Sequence, residues 1–208
     1  IKMSQPILIG ITGNIGSGKT TFCNLLEEKG FKVIYADEIA QQQLNQPDTL
    51  KTLIKRWGKG IVKNGQPQRD KIAEIVFNNK SELDFLNSIV HPKTLSALQQ
   101  IVDNSTEKYL FFEIPLLFEA GLEQCFDYII LVRAPREIRI NRLLQKGKET
   151  RQQIEARINA QIDDQDKIPL CDLVIDNSGD LNELKNQLDS LLTKLKEIKP
   201  KEKIPFSS

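Results

Sequence analysis

The residues with the clearest chemical purpose are Gly13-Asn14-Ile15-Gly16-Ser17-Gly18-Lys19-Thr20, which match the pattern G-x-x-x-x-G-K-[ST]. Each part answers a physical need. Glycines let the backbone curl until consecutive N–H groups point inward at phosphate oxygens. A helix starting behind them adds its positive end. Lys19 brings a full charge to the β- and γ-phosphates, and the Thr20 hydroxyl is placed for Mg²⁺. The candidate nucleotide ligands therefore run from Gly13 through Asn14, Ile15, Gly16, Ser17, Gly18, Lys19 and Thr20 to Thr21. The bland alternative is a chance glycine-rich turn. The apolar run before the loop and the helical spacing after it favour the phosphate reading.

Two carboxylates stand where ligands of an open α/β sheet collect, at the carboxyl ends of expected strands. Asp37 follows the second strand directly, and is either a base for an acceptor hydroxyl or a helix N-cap. Glu113 ends the third core strand before Ile114-Pro115, and either holds Mg²⁺ through water or caps a strand end. A run of cations (Arg133, Arg136, Arg139, Arg142, Lys146, Lys148, Arg151, Arg157) suits a lid over a transferring phosphoryl group, although interspersed glutamates also suit a solvated helix face. His91, the one histidine, precedes Pro92 and is either a ligand contact or structural.

The elements that must carry these groups follow from hydrophobic periodicity. Strands are expected at 7–12, 31–35, 108–113, 127–132 and 172–176. Helices are expected at 18–29 with Gly30 as C-cap, near 37–45, at 48–57, 70–78 and 81–103, and at 180–196. A charged helix should cover about 135–166 with a break near Gly147. Residues 48–103 hold no convincing strand, and Gly58, Gly60 and Asn64-Gly65 break their helices. Short apolar strands alternating with helices predict a parallel sheet with helices on both faces.

At about 150 residues per domain, a chain of 208 fits one domain with an insertion better than two domains. Lys+Arg of 29 against Asp+Glu of 28 leaves +1, without the basic excess that nucleic-acid binding by phosphate neutralisation brings. Cys23, Cys125 and Cys171 are scattered, which argues against structural zinc and fits a reducing cytoplasm. No apolar run reaches membrane-span length, and the start lacks a signal-peptide core. Met3 is the only methionine and is expected to be the native start.

A GTP-binding switch needs DxxG and a later NKxD. The near matches Asp176-Asn177-Ser178-Gly179 and Asn79-Lys80-Ser81-Glu82 stand in the wrong order. Guanine selectivity would restore that reading. A small-molecule kinase fits better, because it needs only a phosphate-loop core, an acceptor-binding insertion and a cationic lid.

Taken together, the pieces resemble the dephospho-coenzyme A kinase family over about residues 7–195. The phosphate loop is shared by many families. More specific are Ala36-Asp37-Glu38-Ile39, His91-Pro92 and Pro115-Leu116-Leu117-Phe118-Glu119, joined by Trp57-Gly58, Asn64-Gly65 with Arg69, Val76-Phe77, the stretch ending at Gln161, and Cys171-Asp172 with Ile175–Gly179. The resemblance implies ATP as donor, with Mg²⁺, and the ribose 3′-hydroxyl of dephospho-CoA as acceptor. It implies no nucleic-acid, membrane or obligatory protein partner. It puts the catalytic aspartate at Asp37, assisted by Lys19 and Arg142. Arg69, His91, Pro115, Leu116, Glu119 and Lys146 would serve the acceptor side. Asn177 and Gly179 would lie near the adenine beside Arg142. The chain departs from the family pattern at Tyr35 and Glu113, where Asp is usual, and at Lys146 and Lys167, where Arg is usual. Another small nucleotide or nucleoside kinase is the nearest rival.

The expected fold is thus an α/β P-loop kinase: a five-stranded parallel sheet flanked by helices, with core segments at about 7–37, 108–140 and 170–196. The acceptor insertion spans about 38–107, the lid about 141–165, and a loose tail about 197–208.

Overall fold

The structure, a computed structural model, describes residues 5–77 and 79–207; Met3, the expected start, lies outside them, as do Asn78 and Ser208. The chain divides into two compact units. The first holds the segments up to Tyr35 and from Ser105 to Pro205, and the second holds Ala36–Asn104 with the chain's end from Phe206.

In chain order the elements are β1 (Ile7–Thr12), α1 (Lys19–Glu28), β2 (Val33–Tyr35), α2 (Ala36–Leu44), α3 (Pro47–Trp57), β3 (Val62–Lys63), β4 (Gln66–Pro67), α4 (Arg69–Val76) and α5 (Lys80–Asp103). There follow β5 (Tyr109–Glu113), β6 (Tyr128–Arg133), α6 (Arg136–Gln145), α7 (Arg151–Asn159), α8 (Asp164–Lys167), β7 (Leu173–Asp176) and α9 (Leu181–Lys194).

Five strands of the first unit form one parallel sheet in the order β2-β5-β1-β6-β7. β1 is central and buried along its whole length, which is why its sequence is continuously apolar and does not alternate. Between β5 and β6 the chain crosses from one side of β1 to the other, the topology that opens a ligand crevice at the strands' carboxyl ends. Ile7, Ile9 and Ile11 face a core shared with Phe22 and Leu26 of α1 and Leu184, Leu188 and Leu191 of α9. Each large side chain so buried contributes about 1.5–3 kcal/mol before entropy is charged. Behind α1, Gly30 at φ 87° donates to the Glu27 carbonyl and ends the helix as expected.

The second unit is built on Leu53, Ile61 and Ile72, packed with Trp57, Phe85 and Ile89. Asn79 caps α5 by accepting from the Glu82 amide, so the apparent NKxD segment is a helix start. Asp37 stands in the first turn of α2, and Arg69 opens α4 and donates to Gln41 at 2.7 Å. His91 is exposed on α5 beside Pro92.

The structure corrects three sequence expectations. The segment read as strand-free carries a hairpin, β3–β4, turning through Asn64 and Gly65 at φ 52° and 75°. Two-residue strands leave no periodicity to read. The charged stretch 135–166 breaks at Gly147 (φ 66°) as expected, and Thr150 with Gln153 starts the next helix through a capping box, but that helix ends at Asn159 and a third, α8, follows. The tail is not loose. In the first unit Lys201 N and Lys203 Nζ donate to Asp127 and Ile204 N donates to Gln124 O; in the second, Phe206 is buried and its N–H donates to Gln99. The second unit also begins at Ala36 and leaves off at Asn104, where the sequence suggests 38–107.

Candidate active site

Between β1 and α1 the chain makes the curl that the glycine spacing calls for. Gly13, Gly16 and Gly18 all have positive φ, of 152°, 77° and 90°. Gly18 is the residue before α1 and stands in the left-handed region, where a side chain is strained. The Lys19 ammonium donates to the Gly13 carbonyl at 2.6 Å and to that of Asn14 at 3.4 Å, while Ser17 N donates to Asn14 O at 3.1 Å. Thr20 and Thr21 are exposed on the first turn of α1.

The carbonyl side of the loop is held from behind. Asn177, just past β7, donates its side-chain amide to Ser17 O at 2.8 Å. Arg142 of α6 donates to Asn177 O at 2.7 Å and reaches the carbonyls of Gly16 and Ser17 at 3.4 Å. These contacts give Arg142 and Asn177 a role the sequence did not suggest, as supports of the loop's backbone. Asp176 is itself fixed by Gln187, whose side-chain amide pairs with its N–H at 2.9 Å and its C=O at 2.7 Å. Gly179 lies beside Glu183 on the same turn.

The tip of the loop is held from another side. Ile15 N donates to Gln161 Oε1 at 3.0 Å, and Asn14 Nδ2 donates to Ile162 O at 3.0 Å. Lys167, wholly buried, donates to Asn14 Oδ1 at 2.7 Å and pairs with Glu119 at 3.0 Å. Sequence spacing gives no sign of Gln161 or of this use of Lys167, since both partners in the loop lie about 150 positions away. Of the remaining candidates, Thr12 donates to Pro115 O at 3.1 Å, Leu116 is exposed after β5, and Lys146 is exposed past the end of α6.

Charge is concentrated at this end of the sheet. Glu113 is buried in register with Ile11 and Tyr35. Burial pushes the Cys23 thiol well up, the Glu113 carboxylate adds to that, and the Lys19 cation offsets part of it. One thiol thus feels both groups of opposite sign. Burial holds the Arg139 guanidinium below its usual range, with Asp164 opposing that shift, and raises the Asp164 carboxyl, with Arg139 opposing in turn. Among the described residues no three His, Cys, Asp or Glu gather as a metal cage. Nor is any described helix long and apolar enough to cross a membrane.

Asp37, Arg69 and His91 belong to the second unit, while the loop, Glu113, Pro115, Leu116, Glu119, Arg142, Lys146, Asn177 and Gly179 belong to the first.

A parallel sheet in this order, with its first strand running into a glycine-curled loop and a Lys-Thr helix start, defines a P-loop kinase fold. The family model described as dephospho-CoA kinase matches residues 7–183. A dephospho-CoA kinase of Fusobacterium nucleatum is 38% identical over 179 residues, covering 86% of this chain and 93% of that protein. A crystal structure of a Thermus thermophilus protein superposes with a TM-score of 0.81 at 33% identity, over 92% of this chain and 99% of the other. A dephospho-CoA kinase from Campylobacter jejuni does so with 0.69 at 28%, over 91% and 97%. The chain belongs to the dephospho-CoA kinase family.

Proposed function

We propose that this chain transfers the γ-phosphoryl group of ATP to the ribose 3′-hydroxyl of dephospho-CoA, giving CoA and ADP, in the cytoplasm. The observation that carries the reading is the family match across residues 7–183 together with the curled loop whose amides and Lys19 suit a triphosphate. In this reading the acceptor oxygen attacks phosphorus in line. The new O–P bond forms as the bond to the β–γ bridging oxygen breaks, and the hydroxyl proton passes to Asp37. Lys19 and lid cations stabilise the charge on the transferring group.

Thr20 and Glu113 would hold Mg²⁺, Glu113 through water. The exposed hydroxyl on α1 and the buried carboxylate that shares the Cys23 environment with Lys19 make a sparse oxygen set. Such a set suits an ion that keeps most of its waters. When bound, the ion would neutralise charge on the β- and γ-oxygens. Arg69, His91, Pro115, Leu116, Glu119 and Lys146 would serve the acceptor, and Asn177, Gly179 and Arg142 the nucleotide base. The insertion, about 38–107, would carry the acceptor, with a lid at about 141–165.

The test is to mix the purified chain with ATP, Mg²⁺ and dephospho-CoA and follow CoA by mass. CoA should accumulate with ADP; preference for AMP or dTMP as acceptor would overturn the assignment. Asp37→Asn should lower turnover by about 10²–10⁴-fold with ATP affinity nearly unchanged. A near wild-type rate would remove Asp37 from the base role.

A further inference from the structure

A wholly buried lysine is uncommon and must be paired. Lys167, the last residue of α8, is 0% exposed. Its ammonium closes a ring. Lys167 Nζ donates to Asn14 Oδ1 at 2.7 Å, Asn14 Nδ2 donates to Ile162 O at 3.0 Å, Ile162 N donates to Glu119 Oε1 at 3.2 Å, and Glu119 Oε1 returns to Lys167 Nζ at 3.0 Å. Both ends of the Asn14 amide are fixed, and the polarity of its partners sets which end is oxygen. The Asn14 carbonyl in turn accepts from Ser17 N at 3.1 Å and from Lys19 Nζ at 3.4 Å. A line of hydrogen bonds therefore runs from Lys167 through Asn14 to the cation of the phosphate loop. The neighbouring amide, Ile15 N, is held by Gln161 from the same segment.

Replacing a buried ion pair with apolar residues of the same volume is often neutral or stabilising. Stability alone is then a poor reason for a lysine here. We propose that Lys167 is a positioning residue for nucleotide binding: it sets the Asn14 side chain, and through it the Asn14 carbonyl that orients Ser17 and Lys19. It does this from a site it shares with Glu119, in the turn after β5. With both oxygens engaged and no surface, Lys167 acts through the loop and not on phosphate. This inference rests on the loop being the ATP site.

The test compares the wild-type chain with Lys167→Met and Lys167→Arg. It measures MgATP binding by calorimetry, KM and kcat for ATP, and melting temperature, all at a temperature where each variant is folded by circular dichroism. Lys167→Met should weaken ATP binding and raise KM for ATP by about tenfold or more, with a smaller change in kcat, and Lys167→Arg should recover part of the affinity. A purely structural lysine would lower the melting temperature and leave ATP affinity within about twofold; that result overturns the proposal. Should Lys167→Met not fold, Lys167→Gln, which keeps one donor group without the charge, carries the same comparison. Wild-type protein that binds no ATP would instead overturn the donor-site reading, and the inference with it.

Discussion

Asp176 is a residue whose environment sets its own titration. The Ser178 hydroxyl and amide both donate to its carboxylate, and these bonds, the hydroxyl's first, hold the carboxyl below its ordinary value of 3.8 against the opposing effect of burial. The folded value lies below the unfolded one. Asp176 therefore adds stability that is complete above the unfolded value, and that is lost as pH falls through the folded value. Asp176→Asn keeps an oxygen for the Ser178 amide but cannot ionise. It should leave the melting temperature almost unchanged in strong acid, lower it slightly at neutral pH, and so flatten the acid limb of a melting-temperature-against-pH curve. An acid limb as steep as the wild type's would show that the carboxylate is not preferentially held in the folded state. The same residue explains why Asp176–Gly179 imitates a guanine-nucleotide signature: its carboxylate is spent on a local turn, and its backbone on Gln187.

At the scale of elements, the junction of β1 and α1 depends on one backbone conformation. Gly18 has φ 90°, and a Cβ there would stand 2.1 Å from Asn177 Nδ2, the amide that holds Ser17 O. Gly18→Ala thus meets both left-handed strain of about 1–2 kcal/mol and a clash with the loop's own support. We expect it to remove measurable ATP binding while the sheet remains folded by circular dichroism; calorimetry showing wild-type affinity would refute the dependence on this geometry. This junction was legible in the sequence because everything it needs is local: an apolar run, glycines at fixed offsets, then helical spacing. The five strands of the sheet were legible for the same reason. The β3–β4 hairpin was not, although Asn64-Gly65 is a strong hairpin turn signal, because the strands beside it are too short to show alternation. The break at Gly147 was legible, and the capping box at Thr150 and Gln153 was also present to be read and would have placed the start of the helix after it. The ring through Asn14, Ile162, Glu119 and Lys167 had no such sign. Its members stand up to 153 positions apart, and only the assembled fold brings them together. The local geometry of the loop was therefore readable, and its long-range support was not.

At the scale of the whole molecule, the tail up to Pro205 is part of the first unit's structure. Asp127, immediately before β6, is wholly buried and accepts from Leu8 N of β1 at 2.7 Å, Lys201 N at 2.7 Å and Lys203 Nζ at 2.6 Å. One carboxylate thus fastens the start of the central strand and the tail together. A nearby carboxylate, Asp172, does similar work at the start of β7, accepting from Ile129 N at 2.8 Å and pairing with Lys201 at 3.1 Å. Composition hid this, since a Lys- and Pro-rich segment with little apolar content reads as solvated chain, and its anchors are charges and backbone amides. The consequence for stability is asymmetric. Removing one partner of a buried pair leaves the other uncompensated, at a cost of about 3–5 kcal/mol. The Lys203 side chain is only 13% exposed and that of Asp127 is 0% exposed, so solvent screens the pair little. For a chain of this size each kcal/mol is worth about 2–4 °C, so Lys203→Met should lower the melting temperature by roughly 6–20 °C. Asp127→Asn combined with Lys203→Met removes both charges together and should recover only part of that loss, because the amide keeps one oxygen for two backbone donors, Leu8 N on Oδ2 and Lys201 N on Oδ1. ATP affinity at 25 °C should stay close to wild type in both variants, since the carboxylate stands at the opposite end of the strands from the phosphate loop. A Lys203→Met protein that melts within about 2 °C of wild type would mean that the two backbone amides alone suffice to hold the buried carboxylate.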